Sequence, residues 1–246
     1  MPDGLTLLAI VITFFLAGAV KGIIGLGLPT VSLALLSVMM ELPQAMALLL
    51  VPSFMTNLWQ AVVGGSGKII LRQLWLFFLM ATITVSVGAI VLTRVDVAWL
   101  SALLGALLVV YSLINLVGLR LTLTTRQQRW IGPILGSVNG ILTGMTGSFV
   151  VPGVLYLQAI GLPRDRLIQA MGILFTASTV ALAVALQRND LLTIELGLLS
   201  TAALLPAMLG MLLGQRIRQF LSEQLFRRVF FIALLLLGVF IVVRVF

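Results

Sequence analysis

Long apolar runs separated by short polar stretches fill almost the whole chain of 246 residues. Such runs predict helices in a membrane, because about 20 apolar residues of helix span its hydrocarbon core. We therefore predict an all-α polytopic membrane protein. Polar residues, glycines and prolines divide the runs into ten segments, predicted at about residues 5–24, 28–40, 44–63, 70–92, 97–119, 131–142, 148–160, 167–186, 191–213 and 229–246.

Glycine-rich stretches interrupt two of these runs, at residues 18–29 and 136–147. Non-helical backbone at membrane depth is tolerated only inside protein or beside a water-filled cavity. Interruptions at matching places in two halves of a chain point to the binding site of a transporter. One fixed offset places Lys21 opposite Asn139 and aligns Gly18, Val20, Gly22 and Ile23 with Gly136, Val138, Gly140 and Ile141.

The two interruptions lie in similar halves of the chain. We predict an N-terminal repeat at residues 1–119, a cytoplasmic linker at 120–130 and a C-terminal repeat at 131–246, which together form one integral membrane domain. Each half holds five segments, an odd number, so the second repeat is inverted relative to the first. About 13 residues of helix cover only about 20 Å. The short second, sixth and seventh segments therefore predict broken or re-entrant helices near the midplane.

The basic residues predict the orientation, because cytoplasmic connections are enriched in Lys and Arg. With the N-terminus outside, eleven basic residues lie on the cytoplasmic side and only Arg94, Arg188 and Arg244 lie outside. This bias predicts that both termini lie outside. The net charge of +8 does not indicate a nucleic-acid partner, since the basic residues are scattered between apolar runs. The cytoplasmic set is Lys68, Arg72, Arg120, Arg126, Arg129, Arg164, Arg166, Arg216, Arg218, Arg227 and Arg228.

The chain contains no cysteine and no histidine. Disulfides, thiol chemistry, zinc sites with Cys or His ligands and catalytic triads with a His base are therefore excluded. No nucleophile–base pair, metal-ligand cluster or nucleotide-binding motif is visible in the sequence. A membrane enzyme is thus the least favoured class, and we expect neither a cofactor nor a metal site.

The candidate site follows from the two interruptions. Where a helix restarts, its first N–H groups lack partners and its end is positive, so an anion can bind there. Two opposed restarts meeting near the midplane would form an anion cradle. Lys21 is the only basic residue deep in an apolar run, and Asn and Gln amides can select an oxyanion without adding charge. The predicted substrate-binding residues are Lys21, Gly22, Gly25, Gly27, Ser53, Asn57, Gln60, Asn139, Thr143, Gly144, Thr146, Gly147, Ser148 and Gln169.

Structural interpretations of the same residues stay open. The glycines could serve close helix packing, since small residues four apart are common in membrane helices. Lys21 could end its helix and extend to the membrane surface. Ser53, Asn57 and Gln60 could form hydrogen bonds between helices. Glu195, the only acid within a predicted span, lies four residues inside its outer end, where an interfacial position is favoured.

Several of these motifs together resemble the TauE/SafE family of sulfite-exporter-like membrane transporters, over essentially the whole chain. The better-known members have a glycine triplet after the break, where this chain has Leu26-Gly27-Leu28 and Met145-Thr146-Gly147. The resemblance implies transport of small anions such as sulfite or organosulfonates across the bacterial inner (cytoplasmic) membrane. The motifs are 21–29, Val51-Pro52-Ser53, Thr56 to Gln60, Thr143 to Gly147, Pro152, Tyr156-Leu157-Gln158, Gln169 to Gly172 and Phe175-Thr176.

We therefore predict a secondary transporter for a small sulfur-containing anion: sulfite, sulfoacetate or a related organosulfonate. Its expected partners are this anion, the lipid bilayer and protons, with a homodimer as a possible assembly and both termini periplasmic. Without histidine, a coupled proton would ride on Lys21, on Glu195 or on the substrate. Two alternatives stay open, a passive anion channel and a non-transporting membrane scaffold or assembly factor.

Overall fold

A computed structural model describes residues 3–119 and 121–245 of the protein, and every regular element within these ranges is a helix. The all-α prediction is confirmed. The helices are α1 (Gly4–Ile24), α2 (Leu28–Met39), α3 (Leu42–Leu48), α4 (Leu50–Val63), α5 (Gly67–Ile83), α6 (Val85–Leu92), α7 (Val97–Val117), α8 (Thr125–Thr146), α9 (Gly153–Ala159), α10 (Arg164–Arg188), α11 (Ile194–Ile217) and α12 (Glu223–Val245).

Several of these helices are long and apolar enough to cross a membrane. By length and composition, the described residues contain 6 such spans: α1, the continuous stretch Gly67–Leu92, α7, α10, α11 and most of α12. The bent pair α3 and α4 brings the number to 7 if it forms one span. The protein is thus a multi-pass membrane protein. The inverted orientation of the halves and the re-entrant segments stay predictions.

The third predicted segment is kinked, as its internal proline suggests. Its two parts, α3 and α4, meet at an angle of 45°. Pro52 has no N–H to offer the carbonyl of Leu48, one turn earlier. The Ser200 hydroxyl on α11 donates to that carbonyl at 2.8 Å and accepts the N–H of Val51 at 3.0 Å. A single hydroxyl therefore acts as the hydrogen-bond partner of both backbone groups at the kink.

Replacing Ser200 with alanine should destabilise the protein by about 1–2 kcal/mol, because a buried carbonyl and a buried N–H lose their partner. The thermal midpoint of the purified protein in detergent measures this loss. Thr201→Ala is the matched control, since its exposed hydroxyl bonds only Gly197 on its own helix. Equal midpoints for the two variants would contradict the assigned role of Ser200.

The sixth and seventh predicted segments differ from the structure. The sixth, expected as a short helix at 131–142, is the 22-residue helix α8, which begins six residues earlier. Thr124 and Gln127 form a capping box that starts this helix within the stretch expected as linker. The seventh, expected from Ser148, is the 7-residue helix α9, because residues 148–152 are not helical.

The chain forms two compact units, each assembled from both halves of the sequence. Unit 1 contains residues 1–52, 96–119 and 191–246, and unit 2 contains residues 53–95 and 120–190. These units describe compactness and not ancestry. The predicted repeats at 1–119 and 131–246 therefore stay a prediction about the origin of the chain.

In unit 1, glycines bring α1 and α11 into close contact. A Cβ added at Gly18 or Gly22 would overlap the carbonyl oxygen of Ala207 or Met211 on α11. Conversely, a Cβ at Gly214 would overlap the carbonyl oxygen of Ala19 on α1. Because glycine has no side chain, the two membrane helices can approach backbone to backbone, which increases the van der Waals contact between them.

In unit 2, the same kind of contact joins α8 to α5 and α6. A Cβ added at Gly140 would lie 2.6 Å from the carbonyl oxygen of Ala81, and one at Gly144 would overlap that of Val85. The Thr84 hydroxyl adds a hydrogen bond of 3.0 Å to the carbonyl oxygen of Ser137. The helix before the second break is therefore packed on the fourth segment of the other half, as α1 is packed on α11.

The ends of α1 and α8 give a different alignment from the sequence match. Gly18 and Gly22 precede Gly25, which ends α1, by the same number of residues as Gly140 and Gly144 precede Gly147, which ends α8. Relative to these helix ends, the sequence match at 136–147 is displaced by one helical turn. It arose because glycines recur every four residues along α8, so two alignments preserve them.

Candidate functional site

The first break lies in unit 1, between α1 and α2. Gly25 ends α1 with φ of 81°, and its N–H donates to the carbonyl oxygen of Lys21 at 2.8 Å. This left-handed conformation is a common helix end that favours glycine. Gly27 precedes α2 with φ of 111° and gives it no side-chain cap. The start of α2, with Leu28 and Thr30 buried, thus follows a true interruption of the helix, as predicted.

Lys21 lies in the last turn of α1, and its side chain is only 4% exposed. A lysine extending to the membrane surface would expose its ammonium group, so burial disfavours that interpretation. Gly22, the next residue, is packed against the backbone of α11. For Gly22 the packing interpretation therefore has direct structural support. Its role in substrate binding, like that of Lys21, Gly25 and Gly27, stays a prediction.

The second break lies in unit 2, between α8 and α9. Gly147 ends α8 with φ of 73°, and its N–H donates to the carbonyl oxygen of Thr143 at 2.7 Å. This geometry repeats that of Gly25, so Thr143 corresponds to Lys21. Counted back from the helix end, Thr143 therefore stands where Lys21 stands in α1, whereas the predicted sequence match pairs Lys21 with Asn139, one turn earlier. Gly144, like Gly22, packs against a neighbouring backbone.

Side chains of α8 hold the segment that follows the second break. The Thr143 hydroxyl donates to the carbonyl oxygen of Ser148 at 2.9 Å, and the Ser148 N–H donates to the Thr146 hydroxyl at 3.2 Å. The Asn139 side-chain oxygen accepts the N–H of Gly153, the first residue of α9, at 2.9 Å. The segment 148–152 is therefore a non-helical stretch with a defined conformation, buried except at the half-buried Pro152.

Several buried polar atoms of unit 2 have no hydrogen-bond partner among the described residues. Asn139 is 0% exposed, and its amide nitrogen has no hydrogen-bond partner among the described residues. The same holds for the hydroxyls of Ser53 on α4 and Ser178 on α10. A buried donor without a partner costs free energy, so such atoms often mark a binding site. Ser178 was not among the predicted site residues, although a serine within an apolar helix was a usable signal.

The other predicted residues of α4 and α10 have different surroundings. Asn57 is buried on α4, and Gln60 is half-buried. The Gln169 amide on α10 donates to the carbonyl oxygen of Ala61 at 2.7 Å and accepts the N–H of Ser66 at 2.9 Å. Gln169 therefore holds the loop between α4 and α5. These two hydrogen bonds occupy most of the hydrogen-bonding capacity of its side-chain amide. Its predicted contact with substrate stays a prediction.

Glu195 lies exposed in the first turn of α11. This exposure at a helix start is consistent with the interfacial position expected for the acid, which stays a prediction. Thr193 caps the same helix start by accepting the Leu196 N–H at 3.2 Å. An acidic side chain there is favourable because the start of a helix is positive.

Comparison with known proteins identifies the family. The family model described as "Sulfite exporter TauE/SafE" matches residues 10–241, almost the whole chain. Searches of curated proteins and of solved structures each found no match. The resemblance expected from the sequence is confirmed. The chain therefore belongs to the TauE/SafE sulfite exporter family of membrane transporters.

Proposed function

We propose that the protein is a secondary transporter that moves sulfite, sulfoacetate or a related organosulfonate across the bacterial inner membrane, with both termini periplasmic and transport coupled to protons. The observation that carries the proposal is the second break, where a buried non-helical segment lies beside the buried amide of Asn139. Membership of the sulfite exporter family supports the choice of a sulfur oxyanion.

Neutral donors suit a transported oxyanion. An anion that leaves water must recover hydrogen bonds, since burying an unpaired charge is very costly. Amide and hydroxyl groups supply such bonds without adding a full opposite charge. Moderate affinity is an advantage here, because a solute must also leave the site for net transport to occur. The Asn139 amide nitrogen, with two hydrogens to donate, fits this role.

The first break, in unit 1, contains the basic residue that was predicted to bind the substrate. Lys21 is almost fully buried beside a helix start that has no side-chain cap. An ammonium group there would offset the charge of a monovalent anion. Lys21 or the substrate is also the proposed carrier of the coupled proton, because the exposed Glu195 lies in the first turn of its helix.

Replacing Asn139 with aspartate should reduce sulfite flux into proteoliposomes by about tenfold or more, because a carboxylate oxygen can still accept the Gly153 N–H while both amide hydrogens are lost. The loss of one good hydrogen bond to an ion is worth more than about 1.4 kcal/mol. The variant should also lose the rise in thermal midpoint that sulfite gives the native protein. Ser112→Ala is the control, since it removes a different buried polar group without a described partner, the Ser112 hydroxyl on α7 of unit 1. Native flux and a native sulfite response in the Asn139 variant would contradict the proposal.

The same proteoliposomes separate the transporter from its alternatives. A proton-coupled transporter should change its sulfite flux when an imposed pH gradient is reversed. A passive channel would conduct anions without that dependence. A scaffold would show no flux and no thermal response to sulfite, sulfoacetate or taurine.

A further inference from the structure

A cleft in unit 2 lies far along α8 from the break. It has a volume of about 390 Å³ and opens beside the amino-terminal parts of α5 and α8, next to α9. Its lining includes Arg72 and Gln73 from α5, and Gln128 and Arg129 from α8. Between Arg129 and Gly147 the helix rises by about 25 Å, at about 1.5 Å per residue. The cleft is therefore distinct from the second break.

Aromatic packing builds the inner wall of this cleft. The ring of Tyr156 on α9 packs on Phe77 with ring centres 4.6 Å apart. Its hydroxyl donates to the carbonyl oxygen of Gln128 at 3.2 Å. A Cβ at Gly132 would lie 2.7 Å from the Tyr156 hydroxyl oxygen, so a larger residue there would displace the ring. The backbone of α5 also leaves helical geometry at Leu74, which lies in the cleft wall.

The lining is basic and rich in hydrogen-bond donors. Arg72 and Arg129 contribute guanidinium groups, and no acidic side chain is found among the described residues that line the cleft. Two glutamine amides and the Thr125 hydroxyl add neutral donors. Guanidinium groups match the oxygens of a phosphate by paired hydrogen bonds. The chemistry of the cleft is therefore that of a phosphate site.

The position of the cleft suggests where such a phosphate would come from. Arg72 lies near the start of the apolar stretch Gly67–Leu92, and Trp75 beside it lines the cleft while 55% exposed. Trp130, next to Arg129, is 73% exposed. Tryptophans at the ends of apolar helices mark the boundary between hydrocarbon and headgroups. Basic pockets at that boundary attract anionic lipid headgroups.

We propose that this cleft binds a phosphate group through Arg72 and Arg129, and that the headgroup of an anionic phospholipid is its main source. The proposed binding of phosphate in the cleft does not depend on which anion the protein transports. The bound phosphate would join the amino-terminal parts of α5 and α8, so it should stabilise unit 2 against unfolding.

The test uses the full-length protein in nanodiscs of phosphatidylcholine, with or without phosphatidylglycerol, and in detergent with inorganic phosphate. Phosphatidylglycerol should raise the thermal midpoint of the native protein, and Arg72→Gln/Arg129→Gln should lose most of this rise. Affinity for the lipid should fall about tenfold or more. The matched control is Lys68→Gln/Arg126→Gln, which removes equal charge from the same two helices outside the cleft.

Each outcome decides the proposal. The proposal is supported if phosphatidylglycerol raises the thermal midpoint of the native protein and of the control variant but not that of the cleft variant. If inorganic phosphate alone gives that pattern in detergent, and phosphatidylglycerol adds nothing, the source is free phosphate. If the two variants lose this rise equally, the effect comes from general surface charge, which would overturn the proposal. The absence of any rise in the native protein would overturn it as well.

Discussion

Replacing Lys21 with alanine is expected to reduce sulfite flux in proteoliposomes to background, with the fold retained. Lys21 is 4% exposed, and removing one partner of a buried charge pair costs about 2–5 kcal/mol. Affinity for the anion should therefore fall by about 30-fold or more. Flux of labelled sulfite gives the direct measurement, and size-exclusion chromatography reports the fold.

Lys68→Ala is the control for this experiment. Lys68 is the other lysine of the chain, and it lies exposed near the start of α5. Its loss changes the net charge equally and should leave flux unaltered. Native flux in a folded Lys21→Ala protein would remove Lys21 from the transport site, whereas equal losses in both variants would point to charge alone.

The second large effect is expected at a helix interface. Gly144→Ala places a methyl group against the carbonyl oxygen of Val85 and within 2.8 Å of the Gly88 Cα. Neither neighbour is a flexible side chain, so α8 must move away from α6. Overpacking of this kind costs about 1–3 kcal/mol, which should lower the thermal midpoint by several degrees.

Gly197→Ala is the matched control, because a Cβ there has no atom within 4 Å and the residue also lies inside a helix. Alanine favours helix over glycine by about 0.5–1 kcal/mol, so this variant should be neutral or slightly more stable. If Gly144→Ala were as stable as Gly197→Ala, the close approach of α8 and α6 would be wrong.

The helices were predictable where the length of an apolar run decides where the helix begins and ends. The helices α1, α2 and α7 end within a few residues of the predicted segments, because glycines and polar residues bound them. The start of α8 was missed although its signal is local. The side chain of Gln127 accepts the Thr124 N–H at 2.9 Å, and this capping box begins a helix among charged residues.

The second break shows what the sequence could not reveal. The late start of α9 depends on Asn139, whose side chain accepts the Gly153 N–H from about two helix turns before the break. No local sequence pattern around Asn139 or Gly153 indicates this contact. The displaced alignment has a similar cause, since glycine spacing alone cannot distinguish Gly136 from Gly140 as the partner of Gly18. The substrate residues themselves stay predictions.

The pairing of α1 with α11 has a consequence for biosynthesis. Helix α1 is translated long before its packing partner at Ile194–Ile217, with nine other described helices between them. Until then the bare face around Gly18 and Gly22 must be covered by lipid or by the insertion machinery. Neither half of the gene product could complete its own compact unit, so a split protein should assemble only when both fragments are synthesised in the same cell.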